Sequence, residues 1–188
     1  MSHSPKAAIS AVESQFKVLS KVEFRGETSL TVEASQISEI CAFCKNVLHF
    51  DYLVDLSGAD HLGEDPRFEV IYELYSLMNG EWLRLKVRLS EDNLELPTVT
   101  SVWATADWHE REAFDMYGIR FHGHPDLRRI LMWDGYPFNP LRKDFPLGGK
   151  PSEMPDVAFS DAAPLEGGPF VTVSSTATVK DREPRARG

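Results

Sequence analysis

The chain has 188 residues, with 42% hydrophobic and 26% charged side chains, enough for one domain with a buried core plus appendages. Its net charge of -9 argues against a nucleic-acid partner, which demands a basic face, and no run approaches the roughly 18 apolar residues of a membrane span. Two cysteines, Cys41 and Cys44, give no disulfide framework and suit a reducing compartment. The N-terminal MSHSPKAAIS has neither an apolar signal core nor an Arg-rich pattern, so no export or import segment is expected.

Ser4-Pro5 opens a predicted helix with Ile9, Val12, Phe16 and Leu19 at helical spacing. Val22–Phe24 and Leu30–Val32 flank a polar turn at Gly26 and predict a hairpin. Ser35 is placed to cap a second helix with an apolar face of Ile37, Ile40, Cys41, Cys44, Val47 and Leu48, followed by a strand through Tyr52, Val54 and Leu56. Residues 67–90 read as a second hairpin around a two-residue Asn79-Gly80 turn, pairing Val70, Tyr72 and Leu74 with Leu89, Val87 and Leu85, and Glu73 with Lys86. This order predicts an α+β domain over residues 1–100, a mainly antiparallel sheet with helices on one face.

A third helix is predicted over roughly residues 101–117, ended by Gly118, and residues 118–147 form an irregular strap punctuated by Pro125, Pro137, Pro140 and Pro146. Residues 148–188, rich in Gly, Pro, Ser and Ala, lack the large apolar side chains of a core and read as an extended or disordered tail.

Charge is uneven: residues 1–109 carry 9 basic and 17 acidic side chains, whereas residues 110–145 carry 6 of each, a balance suited to internal or interfacial ion pairs. Cys41-Ala-Phe-Cys44 lies inside its helix on the apolar face, which points to packing, since a redox pair favours a helix N-terminus. His109-Glu110 begins an HExxH pattern that Ala113 breaks. His122-Gly-His124, with Asp115 and Asp126 nearby, is the remaining metal candidate, but such pairs are common by chance and His124-Pro125-Asp126 also reads as a turn, so no metal is expected.

On a helical wheel, Asp107, Arg111 and Asp115 form one column, read as a solvent-facing ladder, while Glu110 falls within the stripe of Ala113, Phe114 and Tyr117. A carboxylate there needs a partner, and Arg128 or Arg129 in the strap is the expected one. The strap itself is expected to be an interface element ordered on partner proteins, with Phe121, Leu127, Ile130, Trp133, Phe138 and Phe145 as its contacts. The alternative is a strap folded back on its own domain.

The stretch EREAFDMYGIRFHGHPDLRRIL, residues 110–131, together with Ala106-Asp107-Trp108 before it and LRKDFPL at residues 141–147, resembles a family signature. It is that of the 30 kDa-type hydrophilic subunit, the C subunit, of proton-translocating NADH:quinone oxidoreductase (respiratory complex I). Phe138-Asn139-Pro140 departs from it, where many relatives carry Gly-His-Pro. The resemblance implies a non-catalytic member of the peripheral arm, with no cofactor of its own, because the Fe–S clusters and FMN reside in partner subunits. It also implies packing against the D and B subunits, and a peripheral place on the cytoplasmic face of the bacterial inner membrane. Equivalent subunits serve membrane-bound hydrogenases and ferredoxin-linked complexes. The expected structural and interface residues are Glu110, Arg111, Glu112, Asp115, His124, Asp126, Arg128, Arg129, Arg142, Lys143, Asp144 and Phe145.

Overall fold

The computed structural model describes residues 6–146. The expected helix start at Ser4-Pro5, Leu147 and the expected tail over residues 148–188 lie outside the described residues. The elements run α1 (Lys6–Gln15), β1 (Val18–Phe24), β2 (Glu27–Val32), α2 (Ile37–Asn46), β3 (Tyr52–Asp60), β4 (Phe68–Ser76), β5 (Glu81–Leu89), β6 (Glu95–Pro97), α3 (Ala106–Tyr117) and β7 (Arg120–His122). The expected α+β class holds. Five strands form a sheet in the order β1-β2-β5-β4-β3, antiparallel except for the β2–β5 pair.

Local chemistry explains most of these boundaries, including those that differ from the sequence reading. Leu19 does not continue α1; it sits in β1 and is exposed. Ser35 lies within a 3-10 turn over Ala34–Gln36, and α2 begins at Ile37 after Gln36 without a side-chain cap. The face of α2 buries Ile37, Ile40, Cys41 and Cys44, whereas Val47 stands outside. A bulge between Leu53 and Asp55 inserts Val54, so that Leu53 and Leu56 both reach the core despite their odd spacing.

The β4–β5 hairpin corrects the expected register by two residues. Val70 pairs with Val87, Tyr72 with Leu85 and Glu73 with Arg84. The cause is Ser76, which closes a four-residue loop over residues 77–80: its carbonyl accepts from Gly80 N at 2.9 Å and its Oγ from Asn79 N at 3.2 Å. Only Gly80 of the two turn residues takes positive φ, so the two-residue turn does not form. A shift of two keeps every side chain on its face, and Val70, Tyr72, Leu74, Leu83, Leu85 and Val87 are all fully buried.

These side chains, with Ile9 and Val12 of α1 and the α2 face, form one core between the sheet and its helices. The third helix is shorter than expected, because residues 99–105 make turns before Ala106. Gly118 ends it in the left-handed conformation (φ 81°), as its position predicts. Beyond it, β7 pairs in parallel with β6, a short strand within the segment read as wholly irregular.

Candidate functional site

Helix α3 and the strap behind it form one bonded unit. Four carbonyls in the last turn of a helix lack intrahelical donors, and here each finds one. Gly118 N reaches Phe114 O at 2.9 Å, and Asp115 O accepts from Asn139 Nδ2 at 3.0 Å and Arg129 Nη1 at 3.1 Å. Leu141 N donates to Met116 O at 3.2 Å and Arg142 Nε to Tyr117 O at 2.7 Å. Asn139, the departure from the familiar signature, thus serves as a cap for this helix end.

Asp115 is the centre of the strap's attachment and is fully buried. Its Oδ2 accepts from the N–H groups of Ile130, Leu131 and Met132 at 3.0, 2.7 and 2.8 Å, and its Oδ1 from Arg129 Nη1 at 2.5 Å. Arg111, one turn earlier, donates to the carbonyls of Arg128 and Arg129 at 3.2 and 3.3 Å and lies against the Trp108 ring. The column Asp107, Arg111, Asp115 is therefore not a solvent-facing ladder. Two of its members are buried because the strap lies along them.

Glu110 is buried as expected, but its partners are not arginines. Oε1 accepts from Val99 N at 2.7 Å and Oε2 bonds Thr98 Oγ1 at 2.5 Å. Arg129 is committed to Asp115, and Arg128 pairs with Asp126 at 2.8 Å on the surface. With only a hydroxyl and one amide to replace water, burial pushes the Glu110 carboxyl up to about 7, against the pull of those two bonds. The same buried zone pushes the Cys41 thiol well up and the Cys44 thiol up to about 12, which fits packing groups rather than redox ones.

His122 and His124 point apart. His122 is exposed and bonds Glu95 at 2.7 Å, whereas the imidazole of His124 is buried. His124 Nδ1 accepts from Asp126 N at 3.0 Å, which leaves the proton on Nε2, facing Asp107 O at 3.2 Å, with Glu110 Oε2 at 3.9 Å. Asp115 is spent on the strap and Asp126 on Arg128 and this turn, so the expected ligand set does not converge. Among the described residues no group of three or more His, Cys, Asp or Glu is placed to hold a metal ion.

The end of the strap is clasped by residues the sequence did not single out. Arg67 binds Asp60 through two parallel bonds of 2.8 Å, Glu91 at 3.0 Å and Asp144 at 2.8 Å, and Lys143 N donates to Asp60 at 2.7 Å. Arg67 and Arg142 both lie against the Phe68 ring. Phe145 joins a chain of rings through Phe138 and Tyr136 to Trp133, beside a small second core of Met116, Met132 and Tyr136. Tyr117 fills the space over Gly58, where a Cβ would come within 2.6 Å of its ring. Glu112 remains exposed on the outer side of α3.

The sequence matches the model of the respiratory-chain NADH dehydrogenase 30 Kd subunit over residues 30–151, a range that begins within β2 and takes in α2, β3 to β7, α3 and the strap. The chain belongs to this family. It is 51% identical to the C 2 subunit of NADH-quinone oxidoreductase from Rhizobium meliloti (strain 1021), over 72% of this chain and 82% of that one. It is 46% identical to the C subunit of NADH-quinone oxidoreductase from Geotalea uraniireducens (strain Rf4), over 72% and 83%. Among solved structures, the trypsin-resistant fragment (1-134) of Nqo5 superposes with a TM-score of 0.56 at 31% identity, covering 65% of this chain and 97% of the fragment. A chain of the membrane-bound sulfane sulfur reductase, an archaeal respiratory membrane complex, shares the fold with a TM-score of 0.65 at 22% identity over 76% and 85%. The C subunit of NADH:quinone oxidoreductase is the role shared by the family's named relatives, and no helix among the described residues is long and apolar enough to cross a membrane.

Proposed function

We propose that the chain is a structural subunit of the peripheral arm of NADH:quinone oxidoreductase and carries out no bond-making step itself. Its strap docks on the neighbouring D and B subunits, while electrons from NADH pass to quinone through Fe–S clusters and FMN held by partners. The assembly then sits on the cytoplasmic face of the inner membrane, with this chain touching the bilayer only through the complex.

One observation carries this reading: the ionisable groups of the signature are spent on architecture on the strap's inner side, while large apolar groups remain on its outer side. Leu131 and Leu141 are 61% and 51% exposed, although their amides are bonded to adjacent residues of α3, and Trp108, earlier on the same helix, is 61% exposed. Apolar side chains held outward by a rigid backbone favour a protein partner, because little ordering entropy remains to be lost on binding. The outward Arg128, Lys143 and Glu112 supply a mixed polar rim.

Affinity purification of the tagged chain from mild-detergent membranes tests the proposal. The D and B subunits should co-purify in fixed ratio with NADH:quinone reductase activity. A chain recovered alone, or only with hydrogenase-type or ferredoxin-linked partners, overturns it.

A further inference from the structure

Among the described residues, the helices cover one face of the five-stranded sheet and place no layer on the opposite face. At the end of this open face nearest the β4–β5 loop, side chains from all five strands line up. Phe24 pairs with Glu27, and Tyr75 with both Tyr52 and Trp82. Trp82 and Glu27 line one hollow, joining the two halves of the row. Phe24, Tyr52 and Trp82 are 67%, 48% and 38% exposed, and Leu77 and Met78 at the loop tip are 71% and 70% exposed. Single exposed apolar residues need no explanation, but an aromatic row interrupted at Glu27 and flanked by Leu and Met has the composition of an interface centre.

The next row along the sheet carries the charge. Asp55 stands directly opposite Glu73, and Glu73 opposite Arg84. Arg84 bonds Glu73 and reaches Glu27 at 3.1 Å, so one guanidinium serves two carboxylates, and among the described residues a third, Asp55, meets His109 alone, at 3.4 Å. Like charges opposed across strands destabilise a sheet. Burial, and after it the neighbouring Glu27 and Asp55, hold the Glu73 carboxyl above its ordinary range despite Arg84.

We propose that this end of the open sheet face is a second docking surface, remote in chemistry from the strap, whose occupant is an amphipathic segment of a neighbouring protein in the assembly. That segment lays aliphatic side chains on the Phe24–Trp82–Tyr75–Tyr52 row and sets a lysine or arginine against Asp55 and Glu73. The inference rests on the reading that the chain works within a multi-subunit assembly. Four inter-strand gaps make the row about 19 Å long, which matches roughly 13 residues of helix. A surplus of carboxylates disfavours the alternative occupant, a membrane surface with anionic headgroups.

Hydroxyl-radical oxidation of the intact complex and of the full chain alone, combined with a photo-crosslinking residue at position 78, tests this. Oxidation of Met78 and Trp82 should fall at least threefold in the complex. The crosslinked peptide should come from a different protein of the complex and carry aliphatic and basic side chains, and Asp55→Lys should weaken retention of the chain in salt-washed complex. Unchanged oxidation, or crosslinks only to lipid or to a second copy of this chain, overturns the inference. Trp108 separates the two readings: protection of Trp108 without Trp82 leaves the strap docking intact and removes this surface, whereas protection of neither removes both.

Discussion

Replacing Asp115 by asparagine tests whether this one carboxylate holds the strap to the helix. The substitution preserves size but removes the charge from a fully buried group that accepts four donors: three backbone amides on Oδ2 and Arg129 on Oδ1. Hydrogen bonds to an ionised acceptor are roughly twice as strong as neutral ones, so each of the three amide bonds weakens by about 1 kcal/mol. An amide NH2 must also face either the guanidinium or the three N–H groups, all of them donors. The sum is about 3–4 kcal/mol, and Asp115→Ala reaches a similar or larger loss by breaking the buried pair outright. For a domain of this size that corresponds to a melting temperature lower by roughly 6–16 °C. Because the damage is local, hydrogen exchange reads it more directly. The amides of Ile130, Leu131 and Met132 should lose protection by two orders of magnitude or more, while the β4 and β5 amides follow only the global change. Wild-type protection at those three amides in Asp115→Asn would refute the account.

Glu110 gives a pH prediction. Its folded value of about 7 lies above the ordinary carboxylate range, so folding favours the protonated form. That contribution is fully present below about pH 4.5 and is lost as pH rises through 7, worth at most about 3 kcal/mol. Glu110→Gln keeps an acceptor for Val99 N and gains a donor for Thr98 Oγ1, so in chemical denaturation it should exceed wild type by about 1–3 kcal/mol at pH 8 and lose that advantage at pH 5; parallel pH profiles would sink the idea. Gly58→Ala drives a Cβ to within 2.6 Å of the Tyr117 ring and should cost about 1–3 kcal/mol, with a Gly58→Ala/Tyr117→Ala double variant less destabilised than the sum of the singles. Arg67→Met leaves the Asp60 carboxylate, 1% exposed, without its guanidinium; a loss of about 3–5 kcal/mol and faster proteolysis around residues 141–146 are expected, and a loss below about 1 kcal/mol contradicts the clasp.

Periodic features are legible in the sequence and single-atom partnerships are not. Alternation places Tyr72, Leu83, Leu85 and Val87 in the core, and Gly118 marks the end of α3, because each depends on a local rule. The hairpin register depends instead on the Ser76 side chain closing a longer loop, a competitor that the favourable Asn79-Gly80 pair conceals. Glu110 reads as buried, but its partners are a backbone amide and a hydroxyl just after Pro97, which carry no charge pattern to search for. The wheel projection fails for Arg111 and Asp115 because i, i+4 spacing names a face and says nothing of what covers it. Asp60, Arg67 and Asn139 lie too far along the chain from the groups they hold for spacing to reveal them.

The same geometry explains why so proline-rich a segment needs so many charges. Pro125, Pro137 and Pro140 interrupt any ladder of main-chain bonds, yet a strap pressed on a helix still has donors to satisfy. Regular structure cannot supply the acceptors, so side chains do: Asp115 accepts three successive amides, and Arg111 and Arg142 reach carbonyls on either side of the contact. These bonds are made within the chain, so they order the strap's backbone before any partner arrives. Docking then has only the outward side chains to fix, at about 0.5–1.5 kcal/mol each instead of the cost of ordering the backbone as well. Amides 130–132 should therefore be protected already in the isolated chain, and assembly should add protection mainly around Trp108, Leu131 and Leu141. Protection of residues 118–146 that arises only on assembly would mean that the partner, and not Asp115, builds the strap.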